Sequence, residues 1–101
     1  MTNSRLIYGE IDNRTDMEKV FTAIRSDVSK AESRADLTEL YRRAGYLITL
    51  TYAPSWEEKF GKEAITLRKV GEEEFRKTVR KINHRAEQIG TKADYDETWG
   101  D

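Results

Sequence analysis

Tyr46-Leu47-Ile48-Thr49-Leu50-Thr51-Tyr52-Ala53 carries no charge across eight residues, and its aromatic and β-branched members alternate with their neighbours. Alternation places Tyr46, Ile48, Leu50 and Tyr52 on one face and Leu47, Thr49, Thr51 and Ala53 on the other, the pattern of a half-buried strand. Pro54 ends it. Residues 64–70 repeat the signal more weakly, with Ile65 and Leu67 on one face and Thr66 and Arg68 on the other, and Gly71 breaks the run. The two runs predict an antiparallel pair. The connection between them holds a single turn capped by Ser55 and Glu58, carries Trp56 and Phe60, and stops at Gly61.

Upstream, Thr15 stands three residues before Glu18, the spacing at which each side chain satisfies a backbone N–H at the other's position. Met17, Val20, Phe21, Ile24 and Val28 follow at helical spacing and form one buried face. Leu37, Leu40, Tyr41 and Ala44 share a second face. In one continuous helix that face would lie about 160° round from the first. Ser33, with Asp36 three residues on, therefore predicts a second helix, and the pair reads as 15–31 and 34–44, closed by Gly45. A short strand is expected over 5–11. The last helix is expected over 72–89, with Glu72, Glu73 and Glu74 at its positive end. Phe75, Val79, Ile82, Ala86 and Ile89 face inward, and Gly90 is the stop. Residues 91–101 have no periodicity and are expected to be a mobile tail.

The predicted order is β-α-α-β-β-α. It describes an α+β fold, a small two-layer domain with three helices on a two- to three-stranded, mainly antiparallel sheet. Residues 1–90 form that single domain and 91–101 the tail. Exposed sheet edges would admit a homodimer.

Composition excludes more than it indicates. The chain has 101 residues, 18 Lys and Arg against 19 Asp and Glu, and a net charge of −1. Without cysteine it has no disulfide, thiolate metal site or thiol nucleophile, and one histidine rules out any constellation needing two. No apolar run approaches the roughly 20 residues of a membrane span, and no secretory signal is read at the start, so the expectation is a cytoplasmic protein.

His84 is the one candidate imidazole base, and it sits among Arg76, Lys77, Arg80, Lys81 and Arg85. The carboxylate groups Glu57/Glu58, Glu72/Glu73/Glu74 and Asp94/Asp96/Glu97 are expected to be solvated, whereas acid–base work needs one of them desolvated. No Gly-x-Ser-x-Gly elbow, phosphate loop or EF-hand spacing occurs. The expectation is a protein with no catalytic residues, cofactor or metal.

Three features remain. The five cations from Arg76 to Arg85 run without an intervening acid and oppose the apolar face of their helix, a surface suited to phosphates or to an acidic partner. The tail combines one lysine with four acids and holds Tyr95, Asp96, Glu97 and Trp99, with large aromatics that are common interaction anchors. Tyr46, Tyr52, Trp56 and Phe60 form the sheet's own plug or a small pocket. Together these predict a small non-enzymatic adaptor or regulatory domain that binds another protein through its tail and basic helix face. The alternative is a nucleic-acid-binding module on the same face, with the acidic tail as its electrostatic regulator.

Overall fold

Leu37, Leu40, Ala44, Leu47, Ile48 and Thr51 recur at intervals of three and four, so one helical face stays apolar straight through Gly45. That face decides the conformation. A computed structural model of the chain describes residues 11–97, and among them there is no strand. α1 spans Arg14–Val28, α2 Arg34–Thr51, α3 Pro54–Phe60 and α4 Ala64–Gln88, with a 3-10 turn at Gly61–Glu63 leading into α4.

The expected α+β sheet is corrected by these helices. Residues 46–51 complete α2, and 64–70 are the first turns of α4. The strand expected over 5–11 lies outside the described residues apart from Ile11, which is buried and has no regular structure. Burial explains the outcome. A strand over 46–53 would turn Tyr46 and Tyr52 inward, yet they are 52% and 51% exposed, whereas Leu47, Ile48 and Thr51 are fully buried beside Leu37 and Ala44. The threonines, which favour strands by propensity, are satisfied within the helix. Thr49 Oγ1 donates to Gly45 O at 3.1 Å and Thr51 Oγ1 to Ile48 O at 2.7 Å.

Gly71 likewise does not break α4. A Cβ there would meet Met17 Cε at 3.3 Å, so the missing side chain is what lets α1 approach so closely. Glu72, Glu73 and Glu74 consequently sit in the middle of a 25-residue helix, away from its positive end.

The first two helices begin with the same device. Asn13 Oδ1 accepts from Asp16 N at 2.9 Å while Asp16 Oδ2 accepts from Asp12 N at 2.9 Å. Ser33 Oγ accepts from Asp36 N at 3.1 Å while Asp36 Oδ2 accepts from Glu32 N at 3.0 Å. The Ser33 cap matches expectation; the first cap is Asn13, two residues before Thr15. α3 starts on Pro54, whose absent N–H costs nothing at a first helical position.

α4 is the central element. Met17 lies by Gly71, Arg25 by Glu74 and Thr78, and Ala31 by Arg85, so α1 runs parallel to α4. Thr51 meets Arg68 and Tyr41 meets Phe75, so α2 runs antiparallel to it. Trp56 plugs the α2–α4 corner, tilted against Phe60 with ring centroids 4.4 Å apart and with Nε1 donating to Ala64 O at 3.1 Å.

One ionic contact lies inside the bundle. Arg25 Nη2 stands 2.9 Å from Glu74 Oε1, with side-chain exposures of 20% and 9%. The approach is off the angle of a hydrogen bond, which leaves that buried oxygen without a donor. Arg25 also donates to Thr78 Oγ1 at 3.2 Å and to Thr22 Oγ1 at 3.2 Å, and Lys77 Nζ holds the other Glu74 oxygen at 3.3 Å. Removing one partner strands the other charge in the interior, so Arg25→Met should cost about 3 kcal/mol in urea denaturation. Adding Glu74→Leu should recover much of that loss. At Gly71, leucine should cost about 1–3 kcal/mol by overpacking against Met17, whereas alanine should be close to neutral, because its helix propensity offsets the small shift asked of a flexible methyl.

Candidate functional site

The C-terminal end of α4 is a Schellman turn. Thr91 N donates to Ala86 O at 2.9 Å and Gly90 N to Glu87 O at 3.2 Å, with Gly90 at φ 79°, a conformation glycine adopts without the cost a Cβ would bring. The turn reverses the chain and sends residues 91–97 back along α4 toward α2. Tyr95 is the anchor of this strap. Its ring stacks on Tyr41 of α2 with centroids 4.3 Å apart and planes 18° from parallel. Its hydroxyl shares a hydrogen bond with Thr38 Oγ1 at 2.5 Å. Its backbone is held by one side chain from α4: Asn83 Oδ1 accepts from Tyr95 N and Asn83 Nδ2 donates to Tyr95 O, both at 3.0 Å. Two residues on, Arg80 Nε donates to Glu97 Oε1 at 2.8 Å. Ala93 packs against the core, while Lys92, Asp94 and Asp96 point to solvent.

Four side chains from two helices thus read one extended segment. Thr38 and Tyr41 lie about a turn apart on α2, and Arg80 and Asn83 about a turn apart on α4. Burial raises the Tyr41 pKa above the ordinary 10, and the negative charges of Asp96 and Tyr95 raise it further. No family model, curated protein or solved structure matches the chain.

The structure distributes the sequence-derived candidates unevenly. Tyr95 and Glu97 belong to the strap; Asp96 lies on its solvent side, and Trp99 falls outside the described residues. In the basic row most cations are already engaged. Arg76 pairs with Glu73 at 2.5 Å, Lys77 with Glu74 at 3.3 Å and Arg80 with Glu97 at 2.8 Å. Arg85 Nε donates to Ala31 O at 3.0 Å, closing the α1–α2 turn. Lys81 and His84 stay exposed and rim a shallow recess against Val28 and Ser29.

The aromatic set Tyr46, Tyr52, Trp56 and Phe60 does not converge. Trp56 and Phe60 pack together, and Tyr46 stands beside Glu39, Arg42 and Arg43. Tyr52 lies under the Arg68 guanidinium, 4.5 Å from its ring centroid, and donates to Glu72. Its pKa is raised, first by that hydrogen bond and then by burial.

Among the described residues no three His, Cys, Asp or Glu side chains are grouped to hold a metal, and no helix is long and apolar enough to cross a membrane. Thr38, Tyr41 and Asn83 are the site residues that the sequence reading missed. Asn83 carried a faint signal, as an uncharged amide inside the basic row.

A titration tests the docking. Because Asp96 and Tyr95 on the strap add to the burial that raises the Tyr41 pKa, the docked state holds that proton more tightly than the released state does. The Tyr41 contribution to docking should be fully present below pH 10 and be lost as pH rises through the Tyr41 value. Tyr95→Ala should move Tyr41 down toward 10, read from its ring carbons by NMR; an unmoved Tyr41 would place the strap elsewhere.

Proposed function

We propose that this chain is a small non-enzymatic protein-binding domain, acting through its acidic aromatic C-terminal segment and the basic face of α4. One observation carries the reading: the domain already holds an extended acidic–aromatic segment, by backbone hydrogen bonds from Asn83, a ring stack on Tyr41 and a charge contact from Arg80. A surface that recognises an extended peptide in this way is suited to peptide ligands generally.

Phosphate binding by the same face is a weaker account. Arg76, Lys77 and Arg80 each contact a carboxylate, which a phosphate would have to displace, and the whole chain carries a net charge of −1. Domains built for nucleic acid are usually basic overall.

Two measurements test the reading together. Labelled single- and double-stranded DNA and RNA, titrated with the full chain at low and near-physiological salt, should show no anisotropy change. Immobilised full chain should retain specific proteins from a lysate of its source, and Arg80→Glu should lose them. Salt-sensitive nucleic-acid binding would move the function to phosphate recognition. Identical retention by both chains would remove the basic face from it.

A further inference from the structure

We propose that the α2–α4 groove now filled by residues 91–97 is a docking site for a linear motif of another protein, an extended segment with a tyrosine followed two positions later by a carboxylate. The chain's own strap is then its competing occupant in cis. The inference rests on the protein-binding reading above and names the site and the partner's chemistry.

The strap itself shows what the groove takes. Asn83 uses both halves of its amide on the N–H and C=O of one residue, at 3.0 Å each. It therefore reads an extended backbone without regard to side chain, and any peptide in that conformation offers the same pair. Identity is read on either side of this clamp. Tyr41 presents a flat face at 4.3 Å, which selects an aromatic ring, and Thr38 at its far edge offers a hydroxyl partner at 2.5 Å, which favours tyrosine over phenylalanine. Arg80 supplies a guanidinium for a carboxylate two residues on, at 2.8 Å. Alternate residues of an extended segment point the same way, so an aromatic and an acid two apart can meet α2 and α4 together.

The cis occupant is held weakly enough to be exchanged. Tyr95 is only part-buried, and the Arg80–Glu97 pair is largely in water, with side-chain exposures of 62% and 40%. Exposed pairs of that kind steer encounter more than they hold. What keeps the strap in place is its tether. The chain leaves α4 at Gly90 and reaches the groove within five residues, so its effective concentration is on the order of millimolar. A motif presented in trans competes against that concentration, and its apparent affinity falls by the fraction of time the groove stands open.

The test uses the full chain and a fluorescein-labelled peptide of this chain's own sequence, Lys-Ala-Asp-Tyr-Asp-Glu. Tyr95→Ala with Glu97→Ala vacates the groove. This variant should bind the peptide about tenfold or more tighter than the unaltered chain by anisotropy. Adding Asn83→Ala to the vacated chain should weaken binding by about tenfold, the loss expected for two hydrogen bonds to the backbone, and the peptide with tyrosine replaced by alanine should not bind. Circular dichroism confirms that the vacated chain is helical. Should it fail to fold, Tyr95→Phe with Glu97→Gln keeps the ring on Tyr41 and carries the same comparison with a smaller gain.

No binding by the folded, vacated chain overturns the proposal, as does equal binding by the vacated and unaltered chains or indifference to Asn83→Ala. If the peptide fails while Arg80→Glu still loses retained proteins, the groove is wrong and the protein-binding reading stands.

Discussion

Arg25 and Glu74 join α1 to α4 inside the bundle, and the placement of the rest of the structure follows from that join. An unpaired charge in a protein interior costs several kcal/mol, so a slip of α1 along α4 is penalised twice, once for each charge it would strand. Close contact at Gly71 adds a steric marker to the same register, and Arg85 on the Ala31 carbonyl ties the α1–α2 turn to the far end of α4. With α4 fixed against α1 and α2 returning antiparallel from that turn, Thr38 and Tyr41 come opposite Arg80 and Asn83. The strap site is a consequence of that registration, since neither helix carries it alone.

Charge on α4 is arranged for short range. The acids at 72–74 lie within the helix, one turn from Arg76 and Lys77, so Arg76, Lys77 and Arg80, which look unopposed along the sequence, find partners across a turn or on the strap. Such pairs add little stability in water, about 0–1 kcal/mol each, yet they shrink the field that the helix projects. Steering of a distant polyanion is weakened, while local discrimination between acidic and neutral residues at Arg80 is kept.

Much of the bundle was legible in the sequence, and its failures have one cause. The buried face of α1, the break between α1 and α2, the Ser33 cap and the stops at Gly61 and Gly90 all follow from local spacing and chain conformation. Residues 46–53 satisfy two periods at once. Their alternation suggests a strand, while Leu47, Ile48 and Thr51 continue the three-and-four spacing begun at Leu37. The longer pattern wins because it adds to an apolar face that from Leu37 to Ala44 is already about 10 Å long at a helical rise of about 1.5 Å per residue, whereas the alternating set would bury two tyrosine hydroxyls. Gly71 misleads for a related reason: within a helix a glycine can mark close approach as well as a break. The strap site was legible only in part: Tyr95, Glu97 and Arg80 stood among the candidate residues, but Tyr41 gives no sign of a stacking partner 54 positions away until the Gly90 turn has been made.

The uncharged run that invites a strand keeps that tendency in any state that opens the bundle. Tyr46 to Ala53 has eight residues, no charge, no proline and strong β propensity, the composition of segments that stack into cross-β sheets when chains meet. Its helical form relies on α4 covering Leu47, Ile48 and Thr51. Arg43 stands three residues before the run and Pro54 directly after it, and such flanking residues interrupt intermolecular strand growth. The bundle that positions the groove therefore also sequesters the chain's most aggregation-prone segment, and solubility depends on how rarely α2 and α4 part.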